Sequence, residues 1–203
     1  KPAQRLVILI PAFNVASTIG RALQGVLADS CTSLVVVVDG GSTDGTAAAA
    51  RTAANCDGIG THGTTRADGQ AKPVPVVVVE AAAGVGGRAN CLNLAVCVAN
   101  EHLHQHMDPG GADDVMYLFL HADTVLPEGF GTRVAEALKD GATAFGAFPI
   151  FTCGVRDNPS MFVRTFGRFA NTLNNLRSSW MEAPYGDQGL FCRRSTFETV
   201  GGF

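Results

Sequence analysis

The feature that most constrains this chain is the order in which two kinds of segment follow one another. Four short runs rich in β-branched residues, Arg5–Ile10, Leu34–Val38, Val74–Glu80 and Val115–Leu120, have the length and composition of strands buried on both faces. Between them lie stretches of helical character. Ser17–Ala28 carries Ile19, Leu23, Val26 and Leu27 on one side, Gly45–Ala54 is Ala-rich, and Arg88–His106 carries Leu92, Ala95, Val96 and Ala99. Strand and helix in alternation imply right-handed crossovers, and so an α/β fold with a mostly parallel central sheet flanked by helices. Cys56–Pro73 and Met107–Asp113, rich in Gly, Thr and Pro, read as surface loops.

After the fourth run the simple alternation ends. The pattern predicts a helix near Phe130–Lys139, a strand over Ala144–Phe151, a long amphipathic stretch Ser160–Trp180 and a short strand Leu190–Cys192. Ser195 and Glu198 have the spacing of a capping box, which predicts a last helix ended by Gly201. The length of 203 residues, with 46% apolar content, suits a single domain with a sizeable core. Residues 1–125 form its first half and 126–203 its second.

Composition narrows the partners. With 18 acidic against 15 basic residues and no Lys/Arg stripe, nucleic acid is not an expected partner. The six cysteines, at 31, 56, 91, 97, 153 and 192, show no CxxC pair and no His at metal-ligand spacing, so they read as small buried thiols. The longest apolar runs fall far short of the roughly 20 residues of a membrane span. The opening Lys1-Pro2-Ala3-Gln4-Arg5 has no signal-peptide pattern, which makes a reducing, cytoplasmic setting the default expectation.

In an open α/β sheet, ligands bind beyond the carboxyl ends of the strands, where loops converge and helix N-termini present unpaired N–H groups. The unusual polar residues lie there. Pro11-Ala12-Phe13-Asn14 follows the first strand and Asp39-Gly40-Gly41-Ser42-Thr43-Asp44-Gly45 the second; Gly84-Val85-Gly86-Gly87-Arg88 follows the third and His121-Ala122-Asp123 the fourth. Asp39 ends a valine run, where a carboxylate needs a specific partner. That partner is a nucleotide's base or ribose, or the backbone of the Gly40-Gly41 turn. Asp44, directly before a helix, reads as its cap. Gly86 and Gly87 suit close approach of a diphosphate, with Arg88 as a fixed positive charge or a solvated one. Asp123 offers the single carboxylate with which Mg²⁺ or Mn²⁺ is commonly held, alongside diphosphate oxygens. His121 joins it as a ligand if the strand geometry continues to Asp123, and is otherwise a hydrogen-bonded imidazole.

Taken in order, these residues resemble family 2 glycosyltransferases of the GT-A fold, from Leu6 to Phe203. The resemblance rests on Ile10–Asn14, Val38–Thr46, Gly87-Arg88 with Asn93, Leu118–Thr124, and Arg193-Arg194 ahead of Val200-Gly201-Gly202-Phe203. His121-Ala122-Asp123-Thr124 and Tyr185-Gly186-Asp187-Gln188 are similar to a bacterial subgroup associated with radical-SAM and selenium-domain proteins. It implies a nucleoside-diphosphate sugar donor, an acceptor hydroxyl and a divalent metal. Pro11, Ala12 and Asn14 would line the nucleotide pocket, Asp39 would bind the base, Gly87 and Arg88 would lie near the diphosphate, and Asp123 would bind the metal. Two departures stand out: His121 replaces the first Asp of the family's Asp-x-Asp motif, and the chain stops before the acidic pair that supplies the family's catalytic base. Within the chain, Asp187 is the first candidate for that base and Glu182 the second, although Asp187 also suits a turn. The competing readings are a nucleotidyltransferase, disfavoured because the loop after the first strand is not Gly-rich, and a non-catalytic nucleotide-sugar-binding module.

Overall fold

A computed structural model describes residues 5–54, 63–65, 71–82, 86–106, 115–139, 141, 143–149, 172 and 189–203. Its elements run in the order β1 (Arg5–Ala12), α1 (Ile19–Leu27), β2 (Thr32–Asp39), α2 (Thr46–Ala54), β3 (Gly63–Thr65), β4 (Ala71–Pro73), β5 (Val76–Glu80) and α3 (Arg88–His106). There follow β6 (Val115–Phe119), α4 (Phe130–Ala137), β7 (Phe145–Ala147), β8 (Leu190–Arg193) and α5 (Arg194–Val200). Six strands form one sheet in the order β5-β2-β1-β6-β8-β7. The first four in that row are parallel, while β8 runs antiparallel to β6 and β7 antiparallel to β8.

The valine-rich runs become strands because both of their faces are covered. Leu6, Ile8, Ile10, Val35, Val37, Met116 and Leu118 point to one side, where they pack with α1, α2 and α4. Val7, Leu9, Leu34, Val36, Val38, Tyr117 and Phe119 point to the other, where they meet α3 and α5. Each fully buried Val, Leu or Ile contributes about 1.5–3 kcal/mol, so a register slip that exchanged the faces would be costly everywhere at once. The edge strand β5 is an exception: its valines are only half-buried, because β2 flanks it on one side alone within this sheet.

Three expectations need correction. The stretch expected as a loop from Cys56 to Pro73 contains a small antiparallel ladder, β3 with β4. The capping box does not form: α5 begins at Arg194, no side chain caps it, and Glu198 accepts a hydrogen bond from Arg194 at 2.7 Å. Ser195 lies inside the helix, where its carbonyl accepts from the Thr199 hydroxyl. The strand expected over Ala144–Phe151 is described only as Phe145–Ala147. Met107–Asp113 and all but Thr172 of Ser160–Trp180 lie outside the described residues.

The chain reverses direction at β1. It proceeds from β1 to β2 and β5 on one side, then crosses through α3 to β6 on the other. In open α/β sheets such a switch point is where a ligand crevice forms, which here means beyond the carboxyl ends of β1 and β6.

Candidate functional site

The loops after β1 and β2 are joined residue by residue. Three consecutive amides, those of Asn14, Val15 and Ala16, donate to the side chains of Ser42 (2.8 Å), Thr46 (2.8 Å) and Asp44 (3.0 Å). In return the Thr43 amide donates to Asn14 Oδ1 at 3.0 Å, and the Gly40 amide donates to the Ala12 carbonyl at 2.8 Å. Asn14 reaches this arrangement with φ of 52°, a left-handed conformation that Asn tolerates better than most residues. Pro11 fits here because β1–β6 pairing has already ended at Leu9 and Phe119.

Asp39 is buried, and its Oδ1 accepts from the amides of Gly41 at 3.1 Å and Ser42 at 2.8 Å. Of the two roles open from sequence, the backbone one is therefore occupied by one oxygen. Asp44 does what a cap does, since its Oδ1 accepts from the amide and hydroxyl of Thr46 at the start of α2. Its other oxygen reaches Ala16, so it also ties the two loops together. The Thr46 hydroxyl, and then the Ala16 amide, hold its carboxyl below the usual 3.8.

Helix α3 brings the third loop to this place. Gly87, with φ of 95°, precedes Arg88, and the Gly87 carbonyl accepts from the Cys91 amide at 3.1 Å. Arg88 is exposed at the first position of the helix. The first turn is seated against the β2 loop by a close contact: a Cβ on Gly40 would lie 3.3 Å from Cys91 Sγ and 3.6 Å from the Ala12 carbonyl. Burial, and secondarily the charge of Asp39, push the Cys91 thiol above its usual 9.0 and keep it protonated at neutral pH. Gly84 lies outside the described residues.

The β6 end differs from expectation. Its strand stops at Phe119, and His121–Thr124 is a turn closed by the Thr124 amide on the His121 carbonyl at 3.1 Å. Strand alternation therefore does not carry His121 and Asp123 onto a common face. Asp123 is exposed, with the Thr124 hydroxyl 3.4 Å from its Oδ1, whereas His121 keeps its Nε2 buried. Among the described residues no group of three His, Cys, Asp or Glu side chains is placed to hold a metal. An open single carboxylate still fits a hard cation whose remaining ligands are diphosphate oxygens and water. Asp187 and Glu182 lie outside the described residues.

Some contributors were not singled out from sequence. Ser42 and Thr46 were visible only as members of a polar string, and nothing in their own types announces the Asn14 and Val15 partners across about thirty residues. Phe13, in the loop after β1, is 62% exposed, and its residue type alone signals no role. Nor does the type of Asn93 signal a partner; its amide accepts from the Phe203 amide at 3.0 Å and donates to the Phe203 carbonyl at 3.1 Å.

Comparison with known proteins agrees with this fold. Residues 7–72 match the sequence profile "Glycosyl transferase family 2", which takes in β1, β2 and the latched loops between them. No curated protein sequence matches the chain. Among solved structures, it is similar to the mannosyltransferase PcManGT of Pyrobaculum calidifontis, solved with GDP-Man and Mn²⁺. That match has 20% identity and a TM-score of 0.62 over 98% of this chain and 47% of the other. It is also similar to glucosyl-3-phosphoglycerate synthase of Mycobacterium tuberculosis, solved with Mn²⁺, UDP and phosphoglyceric acid (17% identity, TM-score 0.52, 95% of this chain and 56% of the other). A third is mannosyl-3-phosphoglycerate synthase of Rubrobacter xylanophilus (19% identity, TM-score 0.50, 95% and 54%). The chain spans about half the length of these proteins. Among the described residues, the mixed α/β fold, with a six-stranded, mostly parallel sheet and five helices, is similar to that of these GT-A glycosyltransferases.

Proposed function

We propose that this chain is the donor-binding part of a glycosyltransferase that moves a hexose-type sugar from a nucleoside-diphosphate sugar to an acceptor hydroxyl, with inversion. The observation that supports this reading is the seating of α3 against the β2 loop through Cys91 and Gly40, with Asp39 near enough to act electrostatically on Cys91 in the first turn of α3. The base and ribose would lie over Pro11, Ala12 and Asn14, with Asp39 accepting from the base. The diphosphate would meet the open amides after Gly87 and the Arg88 guanidinium. Mn²⁺ or Mg²⁺, held by Asp123 together with diphosphate oxygens, would supply neutralisation of the charge on the leaving nucleoside diphosphate. The buried Nε2 of His121 argues for giving the metal to Asp123. Asp187 remains the proposed group inside the chain for taking the acceptor proton. The subgroup similarity of His121–Thr124 and Tyr185–Gln188 is part of the same proposal.

A thermal-shift screen of UDP-, GDP- and dTDP-sugars with and without Mn²⁺ tests it. At a hundred times its dissociation constant, a donor should raise the midpoint by about 5–10 °C, more with metal than without. A metal-independent shift with NAD and none with any nucleotide sugar would overturn it.

A further inference from the structure

The far end of α3 carries three of the chain's five histidines, and the donor site uses none of them. His102, His104 and His106 fall in the closing segment of the helix, and His102 stands about 21 Å along the axis from Arg88. His102 and His106 are four residues apart and lie one above the other on one face, whereas His104, two residues from each, faces roughly the opposite way. The two rings are brought together, with centroids 4.3 Å apart and planes 21° from parallel. His106 Nδ1 lies 3.0 Å from the His102 carbonyl oxygen. A carbonyl can only accept, so Nδ1 is the protonated nitrogen of His106, and in the neutral ring Nε2 keeps the lone pair. A backbone bond of this kind holds a metal-ligating histidine in its tautomer and orientation. His102 is half-buried; burial, and then the neighbouring His106, hold its imidazole below the usual 6.5, so it is neutral at pH 7.

Two neutral imidazoles within one helical turn form a chelate, because binding by the first brings the second to the same ion at high effective concentration. The helix adds a favourable field, since the carbonyls of its last turn carry partial negative charge next to His106. Glu101, whose carboxylate accepts from Gln105 Nε2 at 3.2 Å, adds a full negative charge one residue before His102. The nitrogen ligands then select the ion. Imidazole suits Ni²⁺, Cu²⁺ and Zn²⁺, whereas Mn²⁺ and Mg²⁺ prefer the carboxylate and phosphate oxygens proposed for the donor site. We propose that His102 and His106 form a second metal site, which takes a divalent ion of the nickel, copper and zinc class and staples the last turn of α3. Among the described residues no group of three His, Cys, Asp or Glu gathers around one point, so water would fill the remaining positions. The site lies at the opposite end of α3 from Arg88 and does not depend on a nucleotide sugar.

Ni²⁺ is the probe, since Zn²⁺ would also bind thiols such as the exposed Cys97. Calorimetric titration of the full chain should show one Ni²⁺ bound per chain, undisturbed by excess Mn²⁺. His102→Ala and His106→Ala should each weaken that binding on the order of 100-fold, the advantage of two linked ligands over one, and His104→Ala should change it less than about twofold. At a hundred times its dissociation constant, Ni²⁺ should raise the thermal midpoint of the parent by about 5–10 °C. The rise should nearly vanish in both of the first two variants at the same concentration. A parent that binds no Ni²⁺, binding unchanged in His102→Ala or His106→Ala, binding lost in His104→Ala, or displacement by Mn²⁺ overturns the inference. If a variant does not fold, the parent alone decides. Substoichiometric Ni²⁺, being paramagnetic, should broaden the ring-proton NMR signals of His102 and His106 and spare those of His121 at the carboxyl end of β6. Broadening of His121 without the other two overturns the site. A chain that binds Ni²⁺ as expected but no nucleotide sugar would leave this site standing and remove only the donor reading.

Discussion

On the β1–β2 flank of the crevice, three consecutive amides are held by three side chains from the neighbouring loop, and Asp39 and Asn14 close the arrangement from within. On the β6 flank, the turn bearing Asp123 is closed by one backbone bond, and the carboxylate stands exposed. The first flank has its polar groups paired before any ligand arrives, so a nucleotide binding there orders little and loses little entropy. The second presents a charge for something outside the protein to complete. The family profile matches over the first flank and ends at residue 72, well before Asp123. Under the proposed function, a site built this way would be rigid where the nucleotide is recognised and open where charge is to be neutralised. The two flanks should therefore fail differently when altered.

The largest expected effect is on the open flank. Asp123→Ala should remove the Mn²⁺-dependent part of nucleotide-sugar affinity, a loss of about 3 kcal/mol or on the order of 100-fold, with the thermal midpoint of the free protein unchanged. Calorimetric titration with and without Mn²⁺ reads the first quantity, and a melt of the unliganded protein the second. A midpoint that falls in the free variant would show that the turn is structural and would erase the contrast.

Thr46→Val should behave in the opposite way. The Thr46 side chain is fully buried, accepts from Val15 and donates to Asp44, so its removal leaves a part-buried amide without its partner. Unfolding free energy should fall by about 1–3 kcal/mol, measured by urea denaturation. Donor affinity should fall with it, because the loop over which the base is proposed to lie loses its anchor. Lost affinity at unchanged stability would mean that Thr46 belongs to the ligand rather than to the latch.

The difference between the flanks also governs what could be read in advance. Strands and helices were legible because valine runs and apolar spacing are local, and α3 was expected over the same Arg88–His106 that the structure shows. The positions of the polar strings at the strand ends followed from the topology. Their pairings did not. Ser42 on Asn14, Thr46 on Val15 and Asn93 on Phe203 join residues 28, 31 and 110 apart. Ser, Thr and Asn have so many possible partners that type and spacing alone cannot select one. His121 illustrates the converse. Extending strand alternation through Asp123 assumed that the strand continued, but the backbone turns at His121, where the hydrogen bond to Thr124 replaces sheet pairing.

Acid should loosen the latched flank. The Asp44 carboxyl is held below 3.8 in the folded chain, so its hydrogen bonds stabilise the fold at pH values above the ordinary carboxylate range. That contribution is lost as the pH falls through the lowered folded value, when the proton blocks acceptance from Thr46 and Ala16. The expected outcome is a higher midpoint for the parent than for Asp44→Asn above about pH 4, with the gap closing toward pH 2. A gap that widens on acidification would reverse the sign and contradict the assignment.

The smallest effect, and the sharpest, concerns the contact that joins the β1–β2 flank to the first turn of α3. Gly40 is not required for its backbone angle, since it is not among the glycines of positive φ; it is required for space. A methyl group there would stand 3.3 Å from Cys91 Sγ, a few tenths of an ångström too close, and 3.6 Å from the Ala12 carbonyl, which is ordinary contact. Gly40→Ala should thus push the first turn of α3 slightly away from the β2 loop. The cost in stability should be below about 1 kcal/mol, offset in part by the lower unfolded-state entropy of Ala. Donor affinity should fall a few-fold, because the proposed diphosphate-binding amides and Asp39 would no longer be spaced for one ligand. Cys91→Ala removes the sulfur that crowds the new methyl, so adding it to Gly40→Ala should restore affinity even though it costs stability by itself. Restored affinity in a less stable protein would tie binding to the spacing between α3 and the β2 loop. Further loss of affinity in the double variant would show instead that the thiol matters for its own contacts, and that α3 and the β2 loop are not coupled through Gly40.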